Sequence, residues 1–326
     1  MKNRMVWLIL VILTSGLMTA CSPSPVNSRP TASTSSQQLE GTVTLSGANA
    51  LYPMAVLWAE QFEKVYPKVK IEVSGGGAGK GMTDTLAGLV DIGMVSRAID
   101  PSEMAKGAYP IGVAEDAVVA VVNARNPVLK EILAQGIKKS AFADIYINGT
   151  VKTWGDVTGK PDVKDEIHIY TRSDAAGAAD VWALYVAGKK QDELKGIGVF
   201  SDPGLLAAVQ KDPLGIGYNN YSFAFDMKTG NPLPGLAVVS FDVNEDGKLD
   251  TAEDISTKVK TVNAIKSGVF PHPPARVEYF VTKGNPTGLT AEFIRWVLTD
   301  GQQFVDQGGY VELSKDILTA ELNKVK

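Results

Sequence analysis

The sequence predicts an α/β fold. Three observations carry that expectation. Short apolar strand patterns alternate with helical ones along the chain. Three of the strand patterns run through small residues straight into helices, which is how such folds build ligand sites. The 286 residues after position 40 contain no cysteine, so a hydrophobic core rather than disulfides must hold them.

Residues 1–20 read as a targeting segment, with Lys2 and Arg4 ahead of the apolar run "MVWLILVILTSGLM". That run falls short of the roughly 20 residues needed to span a bilayer, so a leader is expected rather than an anchor helix. The four residues ending at Cys21, the only cysteine, resemble the lipobox of bacterial lipoproteins. This implies cleavage before Cys21 and lipid on its sulfur. Residues 21–40 are rich in Ser, Pro and Thr and nearly free of large apolar side chains, which predicts a disordered tether.

The elements then follow in order. "TVTLSG" predicts a strand, and "ALYPMAVLWAEQFEKVYP" a helix with Leu51, Ala55, Trp58, Phe62 and Val65 on one face. "KVKIEVSG" is a second strand, and "GKGMTDTLAGLV" a helix with Met82, Leu86 and Leu89 at helical spacing. "DIGMVS", "DAVVAVVN" and "IHIYTRS" continue the strands; "AADVWALYVAGK" and "PGLLAAVQK" continue the helices. No internal repeat is visible.

"LSGANA", "VSGGGAGKGM" and "TRSDAAGAAD" each lead from a strand into a helix. Small residues let a ligand approach the backbone, and each first turn offers unpaired N–H groups with partial positive charge. Converging, they would form an anion cage with little need of basic side chains. "SGGGAGKGMT" is not a nucleotide P-loop, because Ser74 stands where the first Gly is required and Gly81 where Ser or Thr must follow Lys80.

"SGANALYP", "GAGKGMTDTLAGLVDIGMVSR", "YTRSDAAGAADVW", "DPLGIGYNNYSFA" and "GQQFVDQGGYVELS" resemble, in this order, landmarks of the phosphate-binding proteins of ABC importers. The resemblance covers nearly the whole chain after residue 41. It implies a two-lobed, type II periplasmic binding protein (venus-flytrap) fold that closes on an oxyanion, with crossings between lobes near residues 112–120 and 265–275. Lobe 1 is then expected over 41–115 and 270–326, and lobe 2 over 116–269. The implied partners are inorganic phosphate and the membrane permease and ATPase subunits of an importer, and the receptor is expected to act as a monomer held outside the cytoplasm by its lipid.

Carried over residue by residue, the resemblance places Arg172 against the anion and Asp174 behind it. A guanidinium fork suits two oxygens of a tetrahedral anion, and a neighbouring carboxylate holds that fork in place. Gly177 also matches. Leu51, Ala78, Ala176 and Ala178 stand where the family usually has Thr or Ser, so several hydroxyl donors are missing. Ser46 and Ser96 are the hydroxyls still expected near the cleft, while Asn49, Ala50 and Gly79 complete the set at the helix starts. Arg97 occupies a position where some family members place an Asp that accepts the proton of hydrogen phosphate, and Arg97 accepts no hydrogen bond. Sulfate, molybdate and tungstate therefore remain alternatives to phosphate.

"FDVNEDGKLDTAED" has the spacing of an EF-hand-like calcium loop over 242–253. Asp242, Asn244, Asp246 and Asp250 fall at loop positions 1, 3, 5 and 9, the Lys248 carbonyl at position 7, and Glu253 at position 12. The loop is single, and the residues before it read as a strand, so a structural calcium ion is expected rather than a sensor, with "AEDISTKVKTVNAIKSG" a helix after it.

The formal charge of -4, or -6 without Lys2 and Arg4, gives no field for nucleic acid. His168 and His272 have no cysteine partner and no metal spacing, and no G-x-S-x-G elbow occurs. A binding protein is expected, not an enzyme. The competing class is a calcium-dependent envelope protein on the same fold that has lost transport.

Overall fold

The computed structural model describes residues 39–325, so the expected leader, Cys21 and nearly all of the tether lie outside the described residues. The strands are β1 (Gly41–Gly47), β2 (Val69–Gly75), β3 (Ile92–Val95), β4 (Ala108–Asn123), β5 (Ile137–Lys138), β6 (His168–Arg172), β7 (Ile197–Val199), β8 (Gly215–Asn220), β9 (Leu236–Val239), β10 (Phe241–Asp242) and β11 (Ala275–Lys283). Nine of them form one sheet in the order β2-β1-β3-β11-β4-β8-β6-β7, with β9 also paired to β4, and β5 and β10 pair separately.

Two separate hydrophobic cores make the fold two-lobed. One gathers Trp58, Phe62, Phe280, Phe293 and Trp296 with β1, β3 and the first half of β4. The other gathers Phe142, Trp154, Trp182, Tyr218 and Phe241 with the second half of β4. β4 is the shared element. Its 16 residues span about 50 Å at the rise of an extended chain, enough to serve both cores. Its first part pairs with β11 and its last part with β8 and β9. Residues 117–122 are apolar and fully buried without alternation, as expected of a strand covered on both faces. β11 returns the chain, with Ala275 in the second core and Phe280 in the first.

The expected strands and helices form, with three local differences. Val65 closes its helix (Tyr52–Val65) exposed at 56 %, and Met54, near the helix start, is buried with Ala55, Trp58 and Phe62. Leu89 is 72 % exposed because its helix (Ala78–Ala87) ends on Gly88 in the left-handed conformation, which turns the following residue out. The helix after the acidic loop covers only Lys258–Lys266, since Thr257 caps it by accepting from the Lys260 N–H.

Candidate functional site

The parallel strands β1, β2, β3, β6 and β8 carry their C-terminal ends to one cleft, the usual ligand position of an open α/β sheet. It is lined by Asn49, Ala50, Gly77, Ala78, Ser96, Arg172, Ala176, Gly177, Ala178, Asp202 and Asn220 and encloses about 10 Å³, roughly the space of one water. The close approach depends on glycine. A side chain on Gly177 would meet the Ser96 carbonyl at 2.4 Å, and one on Gly77, which holds φ +93°, would meet the Ala175 carbonyl at 2.6 Å.

Three helices begin here: Tyr52–Val65, Ala78–Ala87 and Gly177–Ala187. None has a side-chain cap, whereas the helices starting at Asp202, Lys258 and Lys315 are capped by Ser201, Thr257 and Ser314. The difference matters because a cap consumes the N–H groups that an anion would need. The backbone N–H groups of Asn49, Ala50, Ala78, Gly177 and Ala178 have no partner among the described residues, and all five residues border the cleft. Ser96, at the end of β3, adds a hydroxyl that forms no hydrogen bond to another described residue and sits against Gly177.

Arg172 ends β6 with a side chain only 2 % exposed. Its Nε donates to Asp174 Oδ1 at 2.8 Å and its Nη2 to Asp174 Oδ2, while Nη1 lies 2.9 Å from Asp202 Oδ1. Burial alone would lower the Arg172 pKa, but the Asp174 bond and the Asp202 charge raise it overall. Burial likewise disfavours ionised Asp174, yet Arg172 and the Ser201 N–H hold its pKa below the usual carboxylate value. At Asp202 the balance goes the other way, and burial raises its pKa despite Arg172 and Arg276.

Of the residues expected at the site, Asn49, Ala50, Ala78, Ser96, Arg172, Ala176, Gly177 and Ala178 meet at the cleft, and Asp174 stands behind Arg172. Ser46 does not reach it: its hydroxyl is fully buried and donates to Asp84 at 2.7 Å. Leu51 is a core residue, and Gly79 packs against Ala175. Arg97 is turned onto Glu103 through bonds of 2.9 and 2.6 Å and lies 3.7 Å from Asp180. Gly77, Asp202 and Asn220 were missed. Asp202 lies 30 residues beyond Arg172, in a helix start that in sequence looks like any other cap.

The acidic loop folds around its own backbone. The Asp242 carboxylate accepts from the Asp246 and Gly247 N–H groups at 3.1 and 2.8 Å. Glu253 accepts from Val243 and Asp250 at 3.0 and 3.1 Å. The donor chemistry fits calcium, all hard oxygens at the right spacing. No group of three or more acidic, His or Cys side chains is drawn together as a metal centre among the described residues.

A two-lobed sheet protein with a closed interlobe cleft lined by free N–H groups is a type II periplasmic binding protein. A family model described as a PBP superfamily domain matches residues 32–301, and the chain belongs to that superfamily. Among curated relatives, the phosphate-binding protein PstS of Methanocaldococcus jannaschii is 26 % identical, over 92 % of this chain and 89 % of its own. The protein of the same name from Bacillus subtilis is 24 % identical over 99 % and 98 %. A Clostridium perfringens protein solved with bound phosphate shares the fold at a TM-score of 0.67, with 23 % identity, 84 % of this chain and all of the other covered.

Proposed function

We propose that this protein captures inorganic phosphate outside the cytoplasm and delivers it to the permease and ATPase subunits of an ABC importer. The observation that supports this best is the pairing of a carboxylate-locked arginine, Arg172, with five unpartnered backbone N–H groups from three helix starts. Together they offer a tetrahedral anion donors from several directions and ask no chemistry of it. Relatives named for phosphate binding, matched over nearly their whole length, point the same way. It is a receptor, not an enzyme.

The test is isothermal titration of the purified protein with phosphate, expected to give one site per chain. No heat with phosphate but saturation with molybdate or tungstate would replace phosphate by another oxyanion. That second reading is favoured by the methyl groups of Ala50, Ala78, Ala176 and Ala178, which line the cleft where hydroxyls would add donors.

Two further parts of the reading concern anchoring and the acidic loop. Lipid on Cys21 would hold the receptor at a membrane surface, since no helix among the described residues is long and apolar enough to cross one. Cys21→Ser should then release the protein from membranes. The loop 242–253 would hold a structural calcium ion through the Asp242, Asn244, Asp246, Asp250 and Glu253 side chains and the Lys248 carbonyl.

A further inference from the structure

Two chain segments that meet at the anion cleft meet again one step outside it. Ser96, just after β3, lies against Gly177, where the helix Gly177–Ala187 begins. Arg97 follows Ser96, and Asp180 comes three residues after Gly177, hence on the same face of that helix. Arg97 Nε is 3.7 Å from Asp180 Oδ2. The pair joins the two lobes. Val95 and Ile99, on either side of Arg97, pack in the first core, and Ala179 and Val181, on either side of Asp180, pack in the second. Neither charged residue borders the cleft itself.

The first lobe sets Arg97 in place without help from the second. Its Nη1 donates to the Ala98 carbonyl and to Glu103 Oε2, both at 2.9 Å, and its Nη2 donates to Glu103 Oε1 at 2.6 Å. Glu103 is fixed in turn by the Asp100 N–H at 2.9 Å. Both outer nitrogens are thus engaged, and the Nε edge is what the guanidinium presents to Asp180. A charge held ready in this way loses little side-chain freedom when its partner arrives, a cost that cancels much of the gain when two long side chains are free.

We propose that Arg97 and Asp180 form a latch across the mouth of the cleft, which keeps the lobes shut and slows the escape of a bound anion without touching it. The proposal rests on the anion reading above and adds to it the residues that govern release. Opening the cleft draws the two segments apart and separates the charges. The latch therefore acts on the balance between open and closed forms and lowers the rate of dissociation; it does not choose between anions. Its strength is limited by solvent. The Arg97 and Asp180 side chains are 19 % and 40 % exposed, and a pair screened to that degree is worth about three- to fivefold in affinity. A weak latch suits a receptor that must also hand its anion on.

The test is a double-mutant cycle on Arg97→Gln, Asp180→Asn and the two combined, read by phosphate titration and by the rate at which bound phosphate dissociates. Asp180→Asn is the cleaner arm, because it leaves the Arg97–Glu103 bonds in place. Each single variant should bind phosphate about three- to fivefold more weakly, through faster dissociation at nearly unchanged association, and the double variant should be no weaker than Arg97→Gln alone. Added salt should speed release from the parent more than from Asp180→Asn. Parent-like dissociation from Asp180→Asn, or losses that multiply in the double variant, would overturn the latch and leave the phosphate reading standing. Should Arg97→Gln not fold, the salt comparison between the parent and Asp180→Asn decides, and equal responses would overturn the latch. A parent that ignores phosphate but saturates with molybdate or tungstate would refute the phosphate reading alone, and the same cycle run with that anion judges the latch. A parent that binds none of the three would overturn both.

Discussion

Arg276 on β11 and Asp116 on β4 stand opposite each other in the antiparallel register, their side chains paired at 3.0 Å and both buried. The pair sits where both strands pass from one core to the other. Arg276 also donates to Glu278 at 3.0 Å and to Asn220, and Asn220 holds Asp202 beside the anion cleft. The chain of contacts from Arg172 therefore runs through Asp202 and Asn220 to the strands about which the lobes would move.

One guanidinium does not keep two buried carboxylates ionised. Burial pushes Glu278 up to about 8 and Asp116 up to about 6; Arg276, Asp116, Asp202, Tyr279 and Tyr310 are the titratable groups around Glu278. Between its ordinary value of 4.5 and about 8, the folded protein holds a proton that the unfolded chain has lost. That contribution is complete below the ordinary value and disappears as pH rises through the raised one. Thermal melts should thus show stability falling between about pH 4.5 and 8, by a few kcal/mol on the order-of-magnitude scale of such shifts. Glu278→Gln, a neutral isostere, should flatten the slope. An equal slope in the variant would place the proton elsewhere.

Arg172→Ala should remove phosphate binding by about 2–5 kcal/mol, the usual cost of truncating a buried charge partner. It also strips Asp174 and Asp202 of their counter-charge, so its melting temperature should fall. Arg172→Lys should recover stability better than affinity, because an ammonium supplies charge without the planar fork. Calorimetry of both variants separates the two effects.

Gly177→Ala offers a test of closure that leaves the folded lobes intact. Alanine suits the first turn of a helix, but its methyl would lie 2.4 Å from the Ser96 backbone carbonyl in the closed form. The melting temperature without ligand should hold, while phosphate affinity falls at least about a hundredfold, or roughly 2.7 kcal/mol. Unchanged affinity would mean that the anion is held without this contact.

Chelation should lower the melting temperature of the unmodified protein and not that of Glu253→Gln. An ion bound only by the folded state at about 100 times its Kd contributes roughly 2.7 kcal/mol. Phosphate affinity at low temperature should change by less than about tenfold, because the acidic loop lines no part of the cleft. Loss of phosphate binding in chelated, fully folded protein would make the ion a switch.

The sequence by itself determined the alternation of strands and helices and the small-residue turns at the cleft, and its resemblance to the phosphate-binding family pointed to the Arg172–Asp174 pair. The first two are local: period and turn chemistry are written in adjacent positions. Val65 and Leu89 were misplaced because each sits at a helix end, where the face a residue presents depends on how the chain leaves. Only the tertiary structure decided that Ser46 bonds Asp84, that Arg97 folds onto Glu103, and that Asp202 and Asn220 join the cleft. Those outcomes depend on which strand ends the sheet brings together. β6 and β8 are neighbours in space though more than 40 residues apart, and side chains with several possible partners bond whichever one the packed sheet sets within reach.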